Sequence, residues 1–248
     1  MDQDIEYGQK DFTLPHDVVL LPSNGVFYKN KKKTLKVGYL TASDENILFG
    51  TKSEDLISTL LRSKIYEHDI NPNDLIWGDI EAVLIFLRNS SFGPEYQIKT
   101  KDIETGKDFS CTILLDNLRK IEPEVEPNED GTFSIVLPKT KLNLKIRPLT
   151  YGERRGIEEG SNNYPQGMIP PIVTWRLEKQ IMEINGKSDK GEINKIILNL
   201  PIMDSKYIRN FLKINEPKID LNFKIETPSG KHMDVLIDFG PEFFRPFF

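Results

Sequence analysis

The chain has 248 residues, of which 29% are charged, and a formal net charge of −5. That length accommodates two domains of ordinary size, each with a core of its own. The mildly acidic balance argues against a nucleic-acid partner, because phosphate neutralisation demands a basic stripe. The one basic cluster, Lys29, Lys31, Lys32 and Lys33, reads as a solvated hairpin tip.

A single cysteine, Cys111, leaves no intrachain disulfide to form and fits a reducing compartment. It sits inside an apolar alternation, so it reads as a buried structural thiol rather than a nucleophile. Met1 to Lys10 is polar, and no apolar run approaches the ~18 residues that span a bilayer. The expectation is a soluble cytosolic chain with no membrane partner.

Residues 1–17 form a polar lead-in. Val18 to Leu21 then reads as a strand and Pro22-Ser23-Asn24-Gly25 as a turn. Val26-Phe27-Tyr28 and Leu35 to Leu40 are expected to pair as a hairpin around the lysine-rich tip. Thr41 or Ser43 can cap a helix whose first turn holds Asp44 and Glu45. Leu56, Ile57, Leu60 and Leu61 keep helical spacing, as do Ile80, Val83, Leu84 and Leu87, with Asn71-Pro72-Asn73 between them. Tyr96 to Thr100 and Phe109 to Leu115 alternate around Glu104-Thr105-Gly106-Lys107, which predicts a second hairpin. Residues 122–131, rich in proline and acid, read as a linker.

Beyond the linker the same order of events returns. Leu35 to Asp44 matches Leu144 to Glu153, Asp79 to Arg88 matches Asp204 to Lys213, and Gly106-Lys107 matches Gly230-Lys231 with the apolar alternation that follows. The second copy is expected to run through strands at Phe133 to Leu137 and Leu142 to Leu149, and a helical start at Thr150 to Glu159. Helices at Trp175 to Ile184 and Ser205 to Lys213 follow, and Leu221 to Ile225 with Met233 to Phe239 form a closing hairpin. A loop at Gly160 to Pro171 belongs to this copy alone. The fold class is α+β with an internal duplication: a first repeat domain at 18–121, the linker at 122–131 and a second repeat domain at 132–248. Neither closing turn, Asp102 to Gly106 or Thr227 to Gly230, contains cysteine, so each must hold by strand pairing and apolar packing.

No catalytic, cofactor-binding or metal-binding constellation is evident. His16, His68 and His232 are scattered, and no pair has the i, i+4 spacing of a helical metal site. Thr105-Gly106-Lys107 lacks the upstream glycine of a phosphate loop, and adjacent acids such as Glu158-Glu159 suit helix ends. The expected class is therefore a binding or assembly protein, not an enzyme. The clearest candidate for partner binding is the carboxyl-terminal segment, where five phenylalanines fall within ten residues. Phe239 and Phe243 are expected to complete the second core. Phe243, Phe244, Arg245, Phe247 and Phe248 together form the candidate partner-binding set, since aromatic residues and arginine concentrate at interfaces.

Three segments resemble the T4-like bacteriophage baseplate proteins, specifically those associated with hub assembly. They are Leu21-Pro22-Ser23-Asn24-Gly25-Val26-Phe27-Tyr28, Val37 to Leu48, and Ile237-Asp238-Phe239-Gly240-Pro241-Glu242-Phe243-Phe244. The resemblance implies a late phage protein that helps hub components associate in the host cytoplasm, with other baseplate hub or tail proteins as partners. It leaves open a permanent place in the virion tail.

Overall fold

The computed structural model describes residues 15–50 and 53–244, and the fold is α+β, with helices and small antiparallel sheets. β1 (His16–Leu20) pairs with β2 (Thr34–Gly38), Leu20 opposite Thr34. The expected pairing of Val26-Phe27-Tyr28 with Leu35 to Leu40 is thus corrected. Asn24 and Gly25 take positive φ (50° and 74°), so residues 22–27 coil through successive turns, and the strand that meets β2 is the one before them.

α1 (Ala42–Gly50) and α2 (Ser53–Lys64) follow. A 3-10 turn, Pro72–Asp74, opens where the Asn73 N–H donates to the side chain of Asn71. α3 (Trp77–Phe92) is buried along much of its surface, with Ile80, Val83, Leu84 and Leu87 at 0% exposure. The buried Arg88 closes its carboxyl end by donating to the carbonyls of Gly93 (2.7 Å) and Glu95 (3.0 Å). β3 (Glu95–Lys101) and β4 (Asp108–Leu114) form the expected hairpin, and the short β5 (Lys120–Ile121) leads into residues 122–131, which hold no helix or strand.

β6 (Phe133–Val136) and β7 (Asn143–Ile146) begin the second half. α4 (Tyr151–Asn162) starts with a capping box, in which Thr150 and Glu153 exchange hydrogen bonds while Arg147 holds the Glu153 carboxylate at 2.6 and 2.9 Å. α5 (Ile172–Gln180) starts earlier and stops sooner than its apolar spacing suggested, because Ile181–Ile184 is a strand, β8, beside β7. The Asn185-Gly186 step, with φ of 50° and 77°, turns the chain back after it. α6 (Lys190–Leu198), capped by Asp189, was not expected. α7 (Ile202–Asn215), β9 (Lys218–Ile219), β10 (Asn222–Glu226), β11 (His232–Leu236) and α8 (Pro241–Phe244) complete the described chain. No helix of the described residues is long and apolar enough to cross a membrane.

Two hydrophobic clusters organise the molecule, and they do not divide at the linker. The smaller joins the β6-β7-β8 sheet to α5, α6 and α7 through residues such as Phe133, Ile146, Leu177, Ile197 and Ile208. The larger gathers β1, β2, α2, α3 and β4 and also takes Leu221, Ile225, Ile237, Phe239, Phe243 and Phe244 from the far end of the chain. Phe239 and Phe243 therefore complete the first core, a correction to the expectation that they finish the second. Polar contacts cross the same way. β5 pairs with β9, the Ile219 N–H donates to Glu81, and the Val125 N–H donates to Asn215.

Positions aligned by the sequence repeat carry matching local devices. Asp79 and Asp204, both at 0% exposure, sit in the first turns of α3 and α7. Each accepts backbone N–H groups from the segment just past a Leu-Pro step: Ser23 for Asp79 (2.8 Å), Lys139 and Thr140 for Asp204 (2.8 and 2.9 Å). Asp44 and Glu153 likewise accept the N–H of a threonine three residues earlier, Thr41 and Thr150. Asp44 is not a solvated helix-end charge, however. It is buried and ion-paired with the buried Lys64, which ties α1 to the end of α2.

Candidate interaction surface

The described part of the aromatic carboxyl-terminal segment is internal. Phe243 is 0% and Phe244 1% exposed. Phe243 lies within ring contact of Phe239 (4.8 Å), Phe244 (5.0 Å) and Tyr96 (5.5 Å). These contacts hold α8 against the β3-β4 hairpin, and both side chains are buried. Arg245, Phe247 and Phe248 lie outside the described residues.

The histidines singled out in the sequence are dispersed and exposed at His16, His68 and His232. Among the described residues, no group of three or more His, Cys, Asp or Glu side chains is placed to hold a metal ion. Cys111 is half-buried in β4, and burial raises its thiol pKa. The lysine tip is partly engaged: Lys31 donates to the carbonyls of Val26 and Glu129, and Lys32 pairs with Asp69 at 2.6 Å.

Buried charge lies instead both inside the halves and where they meet, and its partners are structural. Burial raises the Asp79 carboxyl, against the opposing bonds from Ser23 and the Tyr28 hydroxyl. The same burial and the neighbouring Asp79 raise Tyr28. Burial pushes Glu81 up to about 7, with the charge of Glu216 adding to the shift and the Ile219 N–H and Arg154 opposing it. Glu216 is also raised by burial although Arg154 grips both of its oxygens, at 2.9 and 3.0 Å. The closing hairpins meet through Asp102, whose carboxylate accepts from Glu104 and Thr105 in its own turn and from the N–H and hydroxyl of Ser229 in the other. Those bonds hold its pKa down to about 2. Each turn is thus held by the pairing of its own two strands, and a carboxylate clasp joins one turn to the other.

Large apolar side chains are exposed at several places on the described surface, Val18 and Leu20 of β1 and Leu236 of β11 among them, and two groups are the most extended. At the end of α6 and the start of α7, Leu198 (71% exposed), Ile202 (83%) and Met203 (63%) fall within six residues, and Tyr207 and Ile214 continue the Met203 face at helical spacing. Ahead of α5, Met168 and Ile169 are exposed, Ile169 at 91%, followed by Ile172 and Val173. The first patch was missed in the sequence reading, although Ile202-Met203 beside Pro201 and the four-residue step from Met203 to Tyr207 were visible there. The second falls at the end of the loop that the repeat had marked as peculiar to this half.

Against this geometry stands one family match. Residues 23–245 fit the family model described as T4 bacteriophage base plate protein. No curated protein and no solved structure matches the chain. The matched stretch takes in the whole of the smaller hydrophobic cluster, all of the larger one but Val19 and Leu21, and both exposed apolar groups. The chain belongs to the T4 bacteriophage base plate protein family.

Proposed function

We propose that this baseplate protein acts as a hub assembly factor, a non-enzymatic, chaperone-like binder that holds hub or tail subunits until the next component joins. The observation that carries the reading is the pairing of family membership with large apolar side chains left in water at Leu198, Ile202, Met203 and Ile169. Large apolar side chains left exposed close together, as at Ile202 and Met203, are of the kind found on association surfaces. The buried carboxylates are engaged with backbone amides, hydroxyls and arginine, as structural groups are. The protein works in the host cytoplasm, where hub components meet before the tail is complete.

A second reading is a permanent subunit of the baseplate, and the family's description favours it by naming the baseplate itself. Quantitative mass spectrometry of purified virions, set beside that of infected-cell extract, separates the two. An assembly factor is abundant in the extract and absent or scarce in the particle. Stoichiometric recovery from virions overturns the assembly reading in favour of the subunit.

A further inference from the structure

A groove lies at the seam of the two halves, between the start of α3, α4 and the start of α5. It encloses about 430 Å³, within the roughly 300 to 1,000 Å³ of ligand-sized sites. Its lining includes Trp77 and Tyr151, whose rings stack with centroids 6.2 Å apart, and Ile157 and Ile172. Arg154 and Arg176 add two positive charges, against the single negative charge of Glu158. Arg154 is spoken for, since Glu216 holds it from below. Arg176 is exposed and makes no ion pair with another described residue, although its charge bears on Glu216. An apolar slot beside an uncommitted arginine matches one kind of occupant, an apolar side chain next to a carboxylate. The rim continues through Ile172 to Val173 and Ile169, so the surface is wider than a small molecule needs and has the apolar centre and charged edge of a protein interface.

We infer that this groove is the docking site for an acidic, apolar segment of a baseplate partner, with Arg176 taking the carboxylate and Trp77, Tyr151 and Ile172 receiving the neighbouring apolar side chain. The inference rests on the reading that the chain binds hub or tail proteins. Its test begins with co-expression of the full chain and each hub and tail protein of the same phage, followed by copurification and calorimetric titration of whatever is captured. Arg176→Glu and Ile172→Asp are then compared with Arg176→Lys and with Leu236→Asp, at an exposed apolar position on β11, after circular dichroism has shown each variant folded. The expected result is at least a tenfold weaker affinity for Arg176→Glu and Ile172→Asp. Arg176→Lys should lose no more than about threefold, because it keeps the charge, and Leu236→Asp should match the wild type. Wild-type affinity should also fall as salt rises. If the wild type captures a partner and both groove variants bind it equally well, the groove is not the site. If the wild type captures no baseplate protein, the assembly reading itself is overturned.

Discussion

Asp79 and Asp204 are aligned, equally buried and similarly bonded, yet removing them should have unequal consequences. Asp79→Ala strands the N–H and hydroxyl of Ser23, itself 3% exposed, together with the hydroxyl of the buried Tyr28. Asp204→Ala frees the amides of Lys139 and Thr140, which are exposed residues that water can reach. Buried polar groups without partners cost about 1 to 3 kcal/mol each, while solvated ones cost little. Asp79→Ala is therefore expected to lose about 3 kcal/mol in urea denaturation and Asp204→Ala no more than about 1; equal losses would count against this account. Glu81 carries a pH prediction. Its folded-state pKa of about 7 lies above its ordinary 4.5, so the folded state holds the proton more tightly. Its contribution is fully present below pH 4.5 and is lost as pH rises through about 7. Glu81→Gln removes that slope. Its stability relative to wild type should grow between pH 5 and pH 8, by on the order of 2 kcal/mol after allowance for partial solvation. Parallel pH profiles for the two proteins would refute it.

At the scale of elements, contact between helix and neighbour decides what a glycine is for. A Cβ at Gly78 in α3 would stand 2.0 Å from the carbonyl oxygen of Pro217, so the helix packs directly on the backbone entering β9. Gly156 in α4 has nothing within 4 Å of that position. Gly78→Ala should destabilise by about 2 kcal/mol or more through overpacking, while Gly156→Ala should stabilise by about 0.5 to 1 kcal/mol through helix propensity alone. Thermal denaturation of the two variants would expose the opposite signs. Neither role was legible in the sequence, because both glycines sit inside helical stretches and only the neighbour distinguishes them. What was legible is local: the apolar spacing of α2, α3 and α7, and the two hairpins whose turns hold Gly106 and Gly230 at φ of 66° and 80°. β8 and α6 were missed although Asn185-Gly186 and the Asp189-to-Glu192 spacing are turn and cap signals, because an apolar run of isoleucines reads equally well as strand or helix. The candidate site was less legible still. Aromatic content put Phe243 and Phe244 in the partner-binding set and Phe243 in the second core as well, whereas their place is decided by which distant hairpin lies beneath them.

For the whole molecule, the repeat and the cores pull apart. Carboxylates hold backbone amides in the same way at Asp79 and Asp204, and at Asp44 and Glu153, positions that the sequence repeat aligns. Yet the second closing hairpin and α8 are packed into the first core, so the two halves are joined by shared interior rather than by a surface contact. The size of that share can be set against stability. Leu221, Ile225, Ile237, Phe239, Phe243 and Phe244 are all buried in the larger cluster. At roughly 1.5 to 3 kcal/mol each, their burial amounts to roughly 9 to 18 kcal/mol, as much as the whole net stability of an ordinary domain, about 5 to 15 kcal/mol. Residues 1–121 expressed alone should therefore fail to fold, showing no cooperative thermal transition. Mixing them with residues 122–248 should restore one, because β5-β9 pairing, the Asp102–Ser229 clasp and the six apolar side chains return together. A cooperative transition from residues 1–121 alone, at a midpoint near that of the intact chain, would mean that the first half is a self-sufficient domain and that the far hairpin merely rests on it. The groove beside Trp77 would be lost with the split, since α4 and α5 belong to the other fragment, and its reappearance on mixing ties partner binding to the joined state.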